Sequence, residues 1–422
     1  MKTFHSFDER FEFQGKAKTL SLVLIAIGLI GIAYGFLSGS AERTFANLLL
    51  MGYYFACVCI CGIFFCALQY VAQAGWSVAV LRVPQAFAKS LPVAAVVLLV
   101  IICAGLFLTH TGLSEEGKQT TISYLYKGWN LKGITKVGDP NYNAVISGKS
   151  GYLNVPFFLI RLLAYLSCYS VLGALLVKYS NNEDELGGMF NYNKSFKMSV
   201  LFLLIFGFTV PLFAFDTIMS LEAHWFSTMF GWYNFAALWV SGLSVITLTL
   251  IILRENGYMQ WVTDDHLHNL GQFMFGFSIF WTYLWFSQFL LTWYANIPEE
   301  AAYFFKRWEP EFKPWFWLNI IINFLTPLLL LMSRDSKRMV KLLKVACVIL
   351  ICGHWLDYFQ MIMPGAVGPQ SHWYTEIGII EIAAFLGFAG LFIFTMLTSL
   401  SKFKSLAPKK HPLLEESLYH HI

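Results

Sequence analysis

The stretch FANLLLMGYYFACVCICGIFFCALQ, residues 45–69, contains no acidic or basic side chain. A helix of this length crosses the hydrocarbon core of a bilayer, which needs roughly 20 mostly apolar residues. Because lipid offers the backbone no hydrogen-bond partners, such a stretch is predicted to be helical. Nine more stretches of this kind follow or precede it: 17–37, 91–109, 154–178, 196–215, 229–253, 268–294, 315–332, 340–362 and 375–400.

The composition of the whole chain agrees with a membrane location. The chain has 57% hydrophobic and 13% charged residues, whereas soluble globular proteins carry about 25% charged residues. We therefore predict an all-α, polytopic membrane protein with about ten transmembrane helices. Its parts are a cytoplasmic N-terminal segment (1–16), a transmembrane domain (17–400) with outer loops 110–153 and 295–314, and a polar, flexible cytoplasmic tail (401–422).

The distribution of lysine and arginine predicts the orientation. With the N-terminus in the cytoplasm, 19 of the 29 basic residues lie on the cytoplasmic side, as the positive-inside rule requires. An even number of helices then places both termini there. The basic residues form no patch interleaved with aromatic residues outside the membrane, so no nucleic-acid partner is expected. Loop 295–314 is charged and aromatic. It suits either docking to another polypeptide or an amphipathic segment at the interface.

Ionisable side chains within or next to the helices mark the candidate site, because such residues are costly in a membrane. In the predicted orientation they share the outer half. The inner half has little comparable beyond Asp264, Asp265, His266 and His268 at the start of the seventh span. The candidates for a quinol or proton site are Arg161, Asp216, Glu222, His224, His354, Asp357, Glu376 and Glu381.

His354 and Asp357 carry the most specific chemistry among these candidates. Their i, i+3 spacing places both side chains on one helix face, and a carboxylate beside an imidazole suits proton acceptance near neutral pH. The alternative is a polar pair that only joins two helices. Arg161 has an alternative role as the neutralising partner of an acid. Asp216, Glu222 and His224 have an alternative role as caps of the loop that holds them. Glu376 and Glu381 lie about 140° apart around a helix and should serve different neighbours.

Ligands for a redox cofactor are not evident. His354 is the one histidine deep in a predicted span, whereas two bis-histidine haems would need four. The eight cysteines form no C-x-x-C motif, so neither covalent haem nor an iron–sulfur cluster is indicated. We expect no metal and no covalently bound cofactor in this chain. Its 18% aromatic content is compatible with stacking on a quinone ring.

Three stretches resemble the NrfD-like family of membrane subunits. They are DTIMSLEAHWFSTMFGWYNF (216–235), HNLGQFMFGFSIFWTYLWFSQFLLTWYANIPEE (268–300) and HWLDYFQMIMP (354–364). Within that family these stretches more closely resemble the smaller NrfD-like subunits of alternative complex III. The resemblance implies two four-helix bundles, spans two to five and six to nine, with spans one and ten flanking them. Asp216, His354 and Asp357 match polar positions of the family.

The resemblance also implies a function and partners. Alternative complex III oxidises quinol, usually menaquinol, at the periplasmic side of the bacterial cytoplasmic membrane, where lipids surround it. The implied partners are a larger NrfD-like subunit, an iron–sulfur subunit, multihaem cytochrome subunits and a haem-copper terminal oxidase.

Three hypotheses about the role of this subunit remain open at this point. A quinol-binding subunit predicts a quinone-sized pocket near His354, Asp357 and Arg161. A structural subunit with a proton route but no quinol site predicts a filled pocket with water between the acids. A secondary transporter predicts helices broken at the midplane, for which Pro211 and Pro327 are the candidates.

Overall fold

A computed structural model describes residues 7–113, 119–310, 312–367 and 377–419. It confirms the prediction of an all-α, polytopic fold, because the described residues contain ten helices long and apolar enough to cross a membrane. Numbered in chain order, they are α1 (Lys16–Leu37), α2 (Ala41–Val71), α3 (Arg82–Phe107), α4 (Val155–Leu186), α5 (Met189–Thr217), α6 (Met229–Glu255), α7 (Asp264–Ala295), α8 (Lys313–Leu331), α9 (Val340–Ala366) and α10 (Ile379–Ser401).

These helices pack as two four-helix bundles with a flanking pair. In the first bundle, α2 packs on α3 and α5, and α4 packs on α3 and α5. In the second, α6 packs on α7 and α9, while α8 lies against α7 and α9. Contacts of α2 with α6 and α9 join the bundles, and α10 rests on α2 and α3. The apolar side chains that remain exposed, such as Leu37, Phe208 and Leu329, suit contact with lipid.

Small residues hold α1 against α10. A Cβ atom on Gly28 would lie 2.3 Å from the Cα atom of Gly387, and one on Gly31 would lie 2.1 Å from the Cβ atom of Ala383. Without side chains at these positions, the two backbones come into direct contact. Close backbone approach replaces the hydrophobic effect as the source of helix association in lipid, so the glycines explain how the otherwise exposed α1 stays attached.

The two ends of the helices differ in character, and we name them accordingly. The loop end carries an antiparallel strand pair, β1 (Thr109–Leu113) and β2 (Gln119–Ser123), and the short helices Ala144–Lys149 and Pro298–Trp308. The tail end carries the N-terminal segment, a 3₁₀ turn at Gly75–Val80, and the short helices Arg334–Arg338 and Leu414–Leu418.

The C-terminal tail is packed, and the expectation that it is flexible is wrong for its described part. Phe403, Leu406 and Leu414 are buried against the tail end of the helices. The Ser417 hydroxyl accepts a hydrogen bond from the Ala79 amide at 3.0 Å. The tail therefore buries its own apolar side chains and supplies a hydrogen-bond acceptor to a residue far away in sequence, which composition alone does not reveal.

Candidate functional site

The described candidate residues lie towards the loop end, but they form separate groups. Arg161 pairs with Asp216, and His354 lies beside Asp357. Glu222 and Glu381 each bind an arginine that was not among the candidates. His224 is exposed, with its Nε2 atom 3.5 Å from Nδ2 of Asn143. Glu376 lies outside the described residues.

Asp357 accepts hydrogen bonds from three side chains. The Tyr233 hydroxyl and the Asn319 amide, the latter at 2.8 Å, both donate to Oδ1. The Trp281 indole donates to Oδ2 at 2.9 Å. These donors come from α6, α8 and α7, while Asp357 lies on α9, so one fully buried carboxylate gathers all four helices of the second bundle. An ionised carboxylate accepts on both oxygens, and this arrangement matches that form.

His354 differs from Asp357 because its polar atoms are unsatisfied. The ring is fully buried, and neither of its nitrogens has a hydrogen-bond partner among the described residues. Its Nδ1 atom lies 3.8 Å from Oδ2 of Asp357, beyond hydrogen-bond distance. The edge of the ring faces Trp281, with 5.8 Å between centroids. His354 is thus a fully buried imidazole that lies beside a carboxylate without a hydrogen bond to it.

A local change of helix type brings the asparagines of α8 to this acid. Between Lys313–Ile320 and Thr326–Leu331 the helix makes a π turn, Ile321–Leu325. Asn323 within this turn donates to Oδ1 of Asn319 at 2.6 Å and to the Gly353 carbonyl at 2.9 Å. Single π turns recur at functional sites because they rotate side chains out of α-helical register. Here the turn orients the Asn319 amide toward Asp357.

A small cavity adjoins this group on the loop-end side. Its walls include Tyr233 and Asn319, which bind Asp357, and Arg307, which binds Glu222. The cavity volume open to a water-sized molecule is about 20 Å³. A single water molecule requires about 10–15 Å³ of such volume. The buried Oε1 atoms of Gln288 and Gln360, which also line it, have no partner within the described part of the chain. Its size and polarity suit a water molecule and not a quinone ring.

Arg161 and Asp216 form a two-pronged ion pair at the loop end of the first bundle. The Nε and Nη2 atoms of Arg161 each lie 2.9 Å from a carboxylate oxygen of Asp216. Nη1 donates to the Tyr152 carbonyl at 3.0 Å, and the guanidinium lies 3.7 Å from the centroid of the Tyr152 ring. Burial and the neighbouring Asp216 charge raise the pKa of the Tyr152 phenol above its usual value. The pair is thus fully satisfied and leaves no open ligand position.

Glu222 joins the connection between α5 and α6 to the connection between α7 and α8. Its Oε1 atom accepts from Arg307 at 2.8 Å, and Arg307 also donates to the Gln360 carbonyl at 2.8 Å. The guanidinium stacks 3.3 Å from the centroid of Tyr303, whose pKa burial raises. Helix Pro298–Trp308 therefore buries one face against the bundle. The helix is amphipathic, as the second alternative for loop 295–314 requires, and docking of its exposed face to another polypeptide stays a prediction.

Glu381 holds α10 against α2. Its Oε1 atom accepts from Arg43 at 2.6 Å and from Asn47 at 2.7 Å. Its Oε2 atom accepts from the Gly378 amide at 2.9 Å, which caps the start of α10. Each carboxylate oxygen has a partner and the residue is fully buried, so this acid has a complete structural explanation.

A fifth polar group, at the tail end, was missed by the sequence analysis. Arg82 is fully buried and forms an ion pair with Asp184, and its Nη1 atom donates to Gln85 at 2.6 Å. Glu183 is buried beside them. The predicted spans began at residue 91 and ended at residue 178, which assigned these residues to loops, whereas α3 begins at Arg82 and α4 continues to Leu186. The i, i+3 pairs Arg82/Gln85 and Ser180/Glu183 were the available signal of continued helices.

Comparison with models of known families and with curated proteins found no match for this chain.

Proposed function

We propose that this chain is a membrane subunit of a respiratory quinol:electron-acceptor oxidoreductase, in the position of the smaller NrfD-like subunit (ActF) of alternative complex III. Support comes from the three stretches that resemble this family and from the two-bundle fold with a flanking helix pair. In this proposal the loop end faces the periplasm of a bacterium and both termini are cytoplasmic. The larger NrfD-like, iron–sulfur and multihaem cytochrome subunits are its partners.

The observation that carries a chemical role is His354 beside Asp357, with neither ring nitrogen hydrogen-bonded to a described residue. Oxidation of a quinol releases two electrons and two protons. In the proposed complex the electrons leave through the iron–sulfur subunit, and the protons need acceptors that lead to the periplasm. His354 can take up a proton on a ring nitrogen, and the Asp357 carboxylate stabilises the resulting imidazolium. We propose this pair as a proton acceptor, and menaquinol as the donor within the complex.

The cavity beside Asp357 favours one form of this proposal. It is large enough for water and lies between the donors of Asp357 and the Arg307–Glu222 pair near the loop-end surface. This supports the alternative of a structural subunit that conducts protons and binds no quinol beside Asp357. The quinol-binding form would need the cavity to widen by displacement of the side chains that line it, which include Trp285, Tyr303 and Phe304.

Turnover of the intact complex tests the proton role. We expect His354→Ala and Asp357→Asn each to lower quinol:acceptor turnover by roughly a hundredfold, the scale of a lost acid–base group, with subunit content and haem content unchanged. Tyr54→Phe is the matched control. It removes a buried hydroxyl that donates to the Ile351 carbonyl at 3.0 Å between α2 and α9, and it should leave turnover at the level of the unaltered complex. Unchanged turnover in both site variants would refute the proton role.

Labelling with a photoreactive quinone separates the two forms. If this bundle binds quinol, the label attaches to α8 or α9, and Phe316→Trp, which fills the cavity wall, reduces labelling. If the subunit only conducts protons, labelling is confined to other subunits while the His354 and Asp357 variants remain slow.

A further inference from the structure

Glu183 is a buried acid that the loop-end chemistry does not use. It lies in the last turn of α4, at the opposite end of the molecule from Asp216. Only 1% of its surface is exposed. Neither carboxylate oxygen has a hydrogen-bond partner among the residues that the structure describes. An ionised carboxylate in such a place costs several kcal/mol or more, so the form that the surroundings favour is the neutral acid.

The charged side chains around Glu183 neutralise one another without a contribution from Glu183. Arg82 on α3 is fully buried and is neutralised by its ion pair with Asp184. Tyr70 on α2 and Tyr192 on α5 lie within electrostatic range of Glu183 and carry no charge at neutral pH. An ionised Glu183 would therefore add one uncompensated negative charge.

The C-terminal tail contributes two more groups that face this cluster. Lys409 forms an ion pair with Asp8 near the surface, and its positive charge also interacts with the Asp184 carboxylate. Burial lowers the pKa of His411 to about 4, so its ring is neutral at pH 7. Neither group supplies Glu183 with a partner charge.

The tail also covers the cluster. The ring of His411 lies 5.6 Å from the centroid of Tyr70 and 5.4 Å from that of Tyr192, across the ends of α2 and α5. Lys410 donates to the Glu185 carbonyl at 2.7 Å, which ties the same segment to the end of α4. Ser405, Leu406 and Ala407 are buried as the tail approaches. Residues 405–411, here called the cover segment, thus separate Glu183 from the water at the tail end.

We propose that Glu183 is a proton-binding site at the tail end of the first bundle, and that the cover segment controls its exchange with water. With the segment in place, the carboxyl group keeps its proton. When the segment lifts, the O–H bond can break and the proton passes to a water molecule, leaving the carboxylate. This site is separate from His354 and Asp357 and does not depend on the quinol proposal.

Infrared spectroscopy of the full-length protein in lipid nanodiscs tests the protonation state. At neutral pH we expect the carbonyl stretch of a protonated carboxylic acid, which disappears in Glu183→Gln and shifts in Glu183→Asp. Glu185→Gln is the matched control, because Glu185 lies two residues away on the same helix but is exposed and paired with Lys404. A band that survives Glu183→Gln, or that Glu185→Gln removes instead, would overturn the assignment.

Deuterium exchange of the same band tests the cover segment. His411→Ala leaves a gap above Tyr70 and Tyr192, and we expect it to speed exchange by about tenfold or more, since exchange of buried groups follows local opening. A chain that ends at Ser401 should exchange faster still. His224→Ala, at the loop end, should exchange at the original rate. If His411→Ala and the shortened chain both exchange at that rate, the tail does not control access.

Discussion

Arg161 and Asp216 illustrate how this chain keeps charge inside a helix bundle. Asp216 is fully buried, and each of its oxygens accepts from the guanidinium of Arg161 at 2.9 Å. Tyr152 supplies a carbonyl and a ring face to the same guanidinium. Removing one partner of a buried pair leaves an uncompensated charge, which costs about 3–5 kcal/mol, whereas removing both often costs little.

The variant Asp216→Asn is therefore expected to destabilise the protein by about 3 kcal/mol or more, seen as a lower Tm of the purified protein in detergent. The double variant Arg161→Met, Asp216→Leu should recover most of that loss. Asp264→Asn is the control, because Asp264 is about half exposed and paired with Arg254 at the surface, where a pair contributes at most about 1 kcal/mol. A double variant as unstable as the sum of two single variants would contradict this account.

The tail should open at acid pH because of His411. Its pKa is lowered from 6.5 to about 4 in the folded chain, so between these values the open state binds a proton that the closed state does not. Stability of the closed tail is complete above about pH 6.5 and falls as the pH drops toward 4, by at most about 3 kcal/mol. Limited proteolysis of the tail should accelerate over that range.

His411→Phe keeps a ring between Tyr70 and Tyr192 but cannot titrate. Its tail should be cleaved at a rate nearly independent of pH between 4 and 6.5. If the variant and the unaltered chain show the same acceleration, another group opens the tail.

A contact between two side chains was predictable from the sequence only where the two residues lie near each other in the chain. The proximity of His354 and Asp357 was predictable from their i, i+3 spacing, because both residues lie on one helix. The donors Tyr233, Trp281 and Asn319 were not, since they come from three other helices and meet Asp357 only in the folded bundle. Glu183 was missed because a charged residue after an apolar stretch looks like the beginning of a loop.

At the scale of elements, α8 depends on a close approach to α9. The π turn Ile321–Leu325 places Asn323 on the carbonyl of Gly353. A Cβ atom at Gly353 would lie 2.3 Å from Cγ2 of Ile322 and 2.4 Å from Oδ1 of Asn323. Only glycine leaves room for this contact. The turn, and with it the position of Asn319, therefore rests on a residue that itself has no side chain.

We expect Gly353→Ala to push α8 away from α9, lowering stability by about 1–3 kcal/mol and lowering turnover of the intact complex through the displaced Asn319. Gly276→Ala on α7 is the matched control, because no atom of the described residues lies within 4 Å of a Cβ atom there. Thermal unfolding and turnover of the two variants, measured side by side, check this. Equal values for Gly353→Ala and the unaltered chain would show that α8 has room to adjust.

The number of helices was predictable because an apolar stretch of membrane length has few other stable structures. Helix ends were less predictable. Both α3 and α4 extend by two turns or more beyond their apolar stretches, because Arg82 on α3 forms an ion pair with Asp184 on α4 and donates to Gln85. Polar residues that pair across helices continue a helix where isolated ones would end it.

At the scale of the whole molecule, the two ends carry different chemistry. The loop end has the ion pairs of Asp216, Glu222 and Glu381, and the tail end has the described parts of the N-terminal segment and the C-terminal tail. Contacts join those ends directly, since Arg10 donates to the Lys404 carbonyl at 3.1 Å and Leu406 to the Glu9 carbonyl at 3.0 Å. An even number of crossings requires both ends on one side, and packing between them gives that side a folded surface.

The excess of basic residues at the tail end predicts that this end faces the cytoplasm. Substituted cysteines test it: Lys132→Cys lies in an exposed loop-end position and Lys341→Cys in an exposed tail-end position. An impermeant maleimide added to intact cells should label the first, after removal of the outer membrane if one is present, and the second only in inverted vesicles. Labelling of Lys341→Cys from outside would reverse the orientation. The proton proposed to leave His354 and Asp357 would then emerge in the cytoplasm, and a role in quinol oxidation at the outer surface would be excluded.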